Sequence, residues 1–312
     1  MNPATKPLID MKRTNVSPRE LADRAELIRR ISDAVPEDGR TDALDGLTLH
    51  RSSVPTEPLH SVSYPSLCVM AQGAKVVHLG NDRHRYDPYH YLLVAAELPI
   101  AGEVIEASPD EPYLSMILRL DPATVSSVMI EAGVLVGRGR SDAMALAVSP
   151  LEEDLLDAAL RLVRLIDRPD ERDMLAPLIK REIIFRLLQG SQGDRLRHVA
   201  LLGGHSNRIS AAIRRINSAF DQPLSVDALA GEVGLSTSRF HHQFKTITGM
   251  SPIQFQKQIR LQEARRLLLS DDLDAASAGY RVGYTSASHF SRDYKGMFGA
   301  PPLQDVERIR ST

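Results

Sequence analysis

Residues 283–302, "GYTSASHFSRDYKGMFGAPP", set Phe290, Tyr294 and Phe298 four residues apart, scatter cations between them and close on Gly299 and two prolines. Aromatic residues make up only 5% of the chain, so three at this spacing point to one face of a helix. The stretch has a twin upstream. "AGEVG" at residues 230–234 aligns with "GYRVG" at 279–283 at an offset of 49. After a one-residue insertion the offset is 50, pairing Ser236 with Ser286, Ser238 with Ser288, Phe240 with Phe290, Phe244 with Tyr294, Lys245 with Lys295, Gly249 with Gly299 and Pro252 with Pro302.

Each copy parses as helix, tight turn, helix. In the first, Ser225 caps "VDALAGEV", Gly234 turns the chain, Ser236 caps the second helix and Gly249 ends it. In the second, "AASAGYRV" is followed by Gly283, the cap Ser286 and the terminator Gly299. This is the outline of a helix-turn-helix, the unit that places its second helix in the major groove. At about 100° per residue, Phe240, Phe244 and Ile247 share the core face of one second helix, and Phe290, Tyr294 and Met297 that of the other. The opposite faces hold Ser238, His241, His242 and Lys245, and Ser288, Ser291, Arg292 and Lys295, with Arg239 and His289 on the equivalent flank. Carboxylates are missing from these faces except at Asp293, which falls toward the edge. An ordinary solvated face mixes signs, whereas hydroxyls, imidazoles and cations suit phosphates and base edges. Arg292 is the best candidate for a bidentate contact to guanine, and Lys245 and Lys295 are candidate phosphate clamps. Between the copies, Ser251-Pro252 opens "IQFQKQIRLQEARRLLL", a helical rod able to hold two reading heads at a set separation.

The run "AASAGYRVGYTSASHFSRDYKGMFGAPP" resembles the signature of the AraC/XylS family of transcription regulators. Alanine precedes the glycine by four residues, then come "VGY", a serine cap, "HFSR", an aromatic residue, lysine, "FG" and a proline. Tyr294 stands for the usual Phe, Pro301 for the usual Ser or Thr, and "LQDVER" for an aromatic-arginine ending; none lies on the presumed reading face. The resemblance implies a DNA-binding domain over residues 207–309 that reads DNA through the positions of Ser238, His241, His242, Lys245, Ser288, His289 and Arg292. It also implies a cupin-like sensor over residues 47–130 that binds a small effector, followed by a helical pair within 131–200 that joins two subunits.

The rest of the chain fits that division. Its 312 residues exceed one core, so at least two domains are expected. Ser17-Pro18-Arg19-Glu20 opens a helix over about 18–35, completing an N-terminal arm and helix over 1–46. Short apolar or alternating runs such as "SLCVMAQG" and "YLLVAAELP" read as a β-sandwich or β-barrel. "SPLEEDLLDAALRLVRLID" and "ERDMLAPLIKREIIFRLLQG" read as two amphipathic helices, the second with Leu178, Ile183 and Leu187 on its apolar face, and "QGSQGDRLRHVALLGGHSN" as a linker. The expected fold is therefore α+β and multidomain: a cupin-like β-barrel or sandwich with following α-helices, then an all-α domain with two helix-turn-helix motifs.

Charge divides likewise, −6 over residues 1–204 and +4 over 205–312, which suggests a polyanionic partner for the second part. Apolar runs are too short to span a bilayer and the N-terminus lacks a secretory h-region, so the expectation is a cytoplasmic protein with no membrane partner. Cys68 lies in an apolar run and is expected to be buried and inert. Metal and catalytic residues are not expected. His50, His60, His78, His84 and His90 contain no HxH pair, and GxSxG, GxxxxGK[ST] and GxGxxG are missing. No cofactor is expected. Expected partners are promoter or operator double-stranded DNA, a small-molecule effector, a second copy of the chain and RNA polymerase. Two other readings are a metal-dependent cupin enzyme fused to a DNA-binding domain, with His78 or His90 as ligands, and an architectural DNA protein that needs no effector.

Overall fold

The structure, a computed structural model, describes residues 16–133, 144–202, 208–270 and 273–310. Helix α1 (Pro18–Ala34) starts where Ser17 Oγ accepts the Glu20 amide at 3.0 Å with Pro18 in the first turn. The Glu20 carboxylate turns to Arg24, at 2.6 Å, both side chains being buried. Leu27 and Ile31 sit one turn apart on the buried face, and α1 lies across the six-stranded sheet described next.

Ten antiparallel strands form two sheets: β1 (Gly39–Leu44), β2 (Leu47–Ser52), β3 (Leu59–Ser63), β4 (Ser66–Gln72), β5 (Ala74–Leu79), β6 (Asp82–Tyr86), β7 (His90–Val94), β8 (Leu98–Glu106), β9 (Tyr113–Arg119) and β10 (Leu146–Pro150). One sheet has the order β1-β2-β9-β4-β7-β10 and the other β3-β8-β5-β6. This is a sandwich. It begins at Gly39 and takes its last strand from 146–150, so it draws on both the segment read as an N-terminal arm and the segment read as a helical pair. Short polar β1, with Arg40, Thr41 and Asp42 exposed, gives little hydrophobic signal, and a hairpin through the Asp45-Gly46 turn, with Gly46 at φ 70°, pairs it to β2.

Helix α2 (Pro122–Glu131) follows β9, and α3 (Glu153–Arg164) and α4 (Pro169–Gln189) are the amphipathic pair. Helix α3 buries Leu155, Leu156, Ala159, Leu162 and Val163, while α4 buries Ile183 and Leu187 but leaves Leu178 exposed. The expected linker is partly helical: α5 (Gly193–Leu202) packs on α2, and residues 203–207 lie outside the described set. Gly190 and Gly193 lie at the helix start, and Leu196 and Val199 find a core to enter.

The C-terminal part holds α6 (Arg208–Ser218), α7 (Val226–Glu232), α8 (Thr237–Thr248), α9 (Pro252–Ser270), α10 (Ala275–Arg281), α11 (Ala287–Phe298) and α12 (Pro302–Arg310). Pairs α7/α10 and α8/α11 start 49 and 50 residues apart, as the sequence repeat requires. Leu261, Leu268, Val282, Phe290 and Tyr294 form a separate core in the second unit, while Phe240, Phe244 and Phe255 of the first join the core that runs into the sandwich.

Candidate nucleic-acid interface and sandwich cavity

The two reading helices are built the same way. The Leu235 amide reaches the Ala230 carbonyl at 2.9 Å, and the Tyr284 amide reaches that of Gly279 at 3.0 Å. Gly234 and Gly283 turn the chain at φ 67° and 87°. Ser236 Oγ accepts the Arg239 amide at 3.4 Å and Ser286 Oγ the His289 amide at 3.3 Å, capping α8 and α11. Gly249 and Gly299 end them in the left-handed conformation. Phe240, Phe244, Phe290 and Tyr294 are fully buried, and Phe298 leans out to meet the His60 ring at 5.0 Å.

On the outer faces Ser238, Arg239, His241, His242 and Lys245 are exposed on α8, and Ser288, His289, Arg292 and Lys295 on α11; Ser291 is half-buried. Asp293 is drawn aside: Lys257 lies 3.6 Å from it, His289 3.7 Å, and the Tyr284 hydroxyl donates to it at 3.3 Å. Arg239, Lys245, Arg292 and Lys295 have no ion-pair partner among the described residues. Four uncompensated cations on two equivalent faces form an anion-seeking surface.

A second feature was not legible as a site. Between the sheets lies a cavity of about 680 Å³, within the range of small-molecule pockets. Alternate residues of the strands face it, among them Thr48 and His50 of β2, Ser66 and Cys68 of β4, and Lys75 and Val77 of β5. Hydroxyl, imidazole and ammonium groups thus stand where a dry sandwich core would be aliphatic. Polar residues at alternate positions of otherwise apolar strands were the available signal. His50 is buried, and burial, then the charges of Arg40 and Lys75, push its pKa down to about 3, so its ring is neutral at pH 7. Cys68 is buried and free, with its thiol pushed up by burial.

The histidines considered as metal ligands are employed otherwise. His78 meets Glu103 at 3.2 Å and His90 meets Asp87 at 2.7 Å. Among the described residues no group of three or more His, Cys, Asp or Glu could hold a metal ion, and no helix is long and apolar enough to cross a membrane.

Two helix-turn-helix units of one pattern together with a two-sheet sandwich that encloses a cavity define a two-domain class of chain. The family model for the AraC-type transcriptional regulator N-terminus matches residues 43–195, and a helix-turn-helix domain model matches 229–308. The chain belongs to the AraC family. Among curated relatives, the HTH-type transcriptional regulator ArgR of Pseudomonas aeruginosa is 24% identical over 149 residues, 48% of this chain and 45% of that protein. The HTH-type transcriptional activator RhaS of Escherichia coli is 26% identical over 165 residues, 51% of this chain and 57% of that protein. The chain thus spans about half the length of the curated relatives it matches. ToxT from Vibrio cholerae, in a crystal structure with an unsaturated fatty acid bound, superposes with a TM-score of 0.54 at 11% identity, covering 83% of this chain and 94% of that one. That likeness shows the two-domain fold.

Proposed function

We propose that the chain is a sequence-specific DNA-binding transcription regulator and not an enzyme, that it acts in the cytoplasm as a homodimer and contacts RNA polymerase, and that a small effector in the sandwich cavity changes its hold on DNA. The observation that carries this reading is the duplicated, uncompensated cationic face of α8 and α11. The proposed units are an N-terminal arm and helix, a sensor sandwich, a dimerising helical pair and the double helix-turn-helix. Relatives named as transcriptional regulators and a structural neighbour holding a small molecule support the same assignment.

Coupling between the cavity and the DNA reader has a physical route. The Ala145 amide donates to the Ile247 carbonyl at 2.9 Å, at the end of α8. Gly80, in the turn after cavity-lining β5, is so close to Gly249 that a Cβ on it would stand 2.7 Å from the Gly249 carbonyl oxygen. His60 lies between cavity residues Leu59 and Ser61 of β3 and touches Phe298 of α11. An effector that spreads the sheets would move both reading helices, which gives it different affinities for two states.

Arg292→Ala and Lys295→Ala separate the proposed roles. After selection of a preferred site from random duplexes, Arg292→Ala should weaken that site by about 1–3 kcal/mol and relax its base preference at one position. Lys295→Ala should weaken selected and random duplexes alike and lower the salt slope by about one. Anisotropy titrations over a salt series measure both, and equal losses on both duplexes for both variants would remove the base-reading role.

The dimer reading rests on α4. Met174, Leu178 and Phe185 are 72%, 57% and 44% exposed and lie within about 40° of one another around the helix, an apolar stripe with no cover. A second copy offering the same stripe would cover it by two-fold symmetry. Phe185→Glu should raise the dimer Kd at least about tenfold in sedimentation equilibrium, since burying unpaired carboxylates opposes association. An unchanged Kd would place the interface elsewhere.

A further inference from the structure

The chemistry of the cavity narrows its occupant. His50 is 8% exposed, lines the cavity and carries a buried Nδ1 with no hydrogen-bond partner. Its neighbour across the β2–β9 ladder is Ser115, which shares its face and has a buried, unpartnered Oγ. On its other side, across β1–β2, stands Arg40. Lys75 faces this row from the opposite sheet. Its ammonium lies 5.7 Å from the Tyr113 ring centre, and the Tyr113 and His50 rings meet edge to face at 5.2 Å. Gly102 makes room for it, because a Cβ there would stand 2.8 Å from Lys75 Cε and 3.2 Å from Nζ.

Neither Arg40 nor Lys75 has an ion-pair partner among the described residues. Both carboxylates of the lining are engaged: Asp42 accepts the Thr48 hydroxyl at 2.7 Å and Asp45 lies 3.5 Å from the Lys180 ammonium. Buried polar atoms left unpaired cost about 1–3 kcal/mol each, so a row of unpaired groups beside free cations is what a bound anion would satisfy. The lining also carries six aliphatic residues, Val77, Leu92, Val94, Ile100, Val104 and Ile117.

We propose that the cavity binds a small monocarboxylate with an apolar body, its carboxylate at Lys75 and His50, next to Ser115, and its body along the aliphatic residues. The proposal rests on the reading of this cavity as the effector site. A phosphate dianion fits less well, because its second charge would face the carboxylates of Asp42 and Asp45, which also line the cavity. A polyol would find Ser61, Ser63 and Ser66 but would set hydroxyls against the six aliphatic residues.

The test uses the full chain and five probes in calorimetry: octanoate, 3-phenylpropanoate, the two matching primary amides, and glucose. Either acid should bind at least about tenfold more tightly than its amide. Lys75→Met should cut the preference for acid over amide to below about twofold, and Ser115→Ala should weaken the acid by severalfold. Ile117→Trp, which sets a bulky ring into the aliphatic part of the cavity, should weaken binding of either acid at least about tenfold. Amides or glucose binding as tightly as the acids, with Ile117→Trp still blocking them, overturn the acid class and leave the sensor reading standing. Acid binding untouched by Ile117→Trp overturns both readings, and the absence of binding by all five probes overturns the acid class.

Discussion

Asp305→Ala is expected to cost about 3–5 kcal/mol and to remove sequence-specific DNA binding, because it strands a buried cation. The Asp305 carboxylate is fully buried, and Arg265 donates to it from Nε at 2.7 Å and from a terminal nitrogen at 2.9 Å. The Tyr294 hydroxyl donates to it at 2.9 Å and Arg308 at 3.0 Å. Burial pushes the carboxyl up, and hydrogen bonds from Arg265, Arg308 and Tyr294 more than offset this, holding it below the usual range. One carboxylate therefore ties α9, α11 and α12 together. Alanine would leave Arg265 nearly buried without a counter-ion and the Tyr294 hydroxyl without an acceptor. Glu263→Ala, which breaks the mostly exposed Glu263–Arg266 pair, should cost no more than about 1 kcal/mol. Urea unfolding followed by circular dichroism compares the two, and similar small losses would show that the buried carboxylate does not hold the second unit.

The second large effect is expected at Gly283. Its φ of 87° is left-handed, and a Cβ there would stand 2.0 Å from the Asp221 carbonyl oxygen and 2.9 Å from a guanidinium nitrogen of Arg260. That guanidinium ties the turn to the loop after α6, donating to Phe220 O at 2.6 Å, Gly283 O at 2.9 Å and Gln222 O at 2.9 Å. Gly283→Ala thus combines about 1–2 kcal/mol of left-handed strain with displaced backbone costing about 1–3 kcal/mol, roughly 3 kcal/mol in all. Gly299 has a similar φ of 82° but open space around it, so Gly299→Ala should show the strain alone, about 1–2 kcal/mol. Unfolding free energies of the two variants, with DNA affinity measured alongside, separate the contributions. Equal costs would mean that the Asp221 loop yields without resistance.

Much of the DNA-reading half was legible because its signals are local. Caps at Ser225, Ser236 and Ser286, the turn glycines Gly234 and Gly283, and the aromatic spacing all act within one turn of helix, and the repeat doubles each of them. Phe298 belongs to the same aromatic row, yet its partner is His60 from a strand more than two hundred residues earlier. The sandwich was legible as a class and not in its limits. Distant β10 joins it through a ladder to β7 that has no local signature, whereas polar β1 joins through a hairpin whose signal was the Asp45-Gly46 turn.

By itself, the sequence determined the two helix-turn-helix units, the β-rich first domain and the cationic outward faces, since periodicity, capping and turn chemistry depend on neighbours in the chain. Tertiary structure alone decided that Leu178 faces outward, that Asp305 closes a buried network, and that Lys75 and His50 meet in one cavity. Those outcomes depend on which strands and helices face each other across the core. Burial and pairing at long range set that choice, and no single segment carries it.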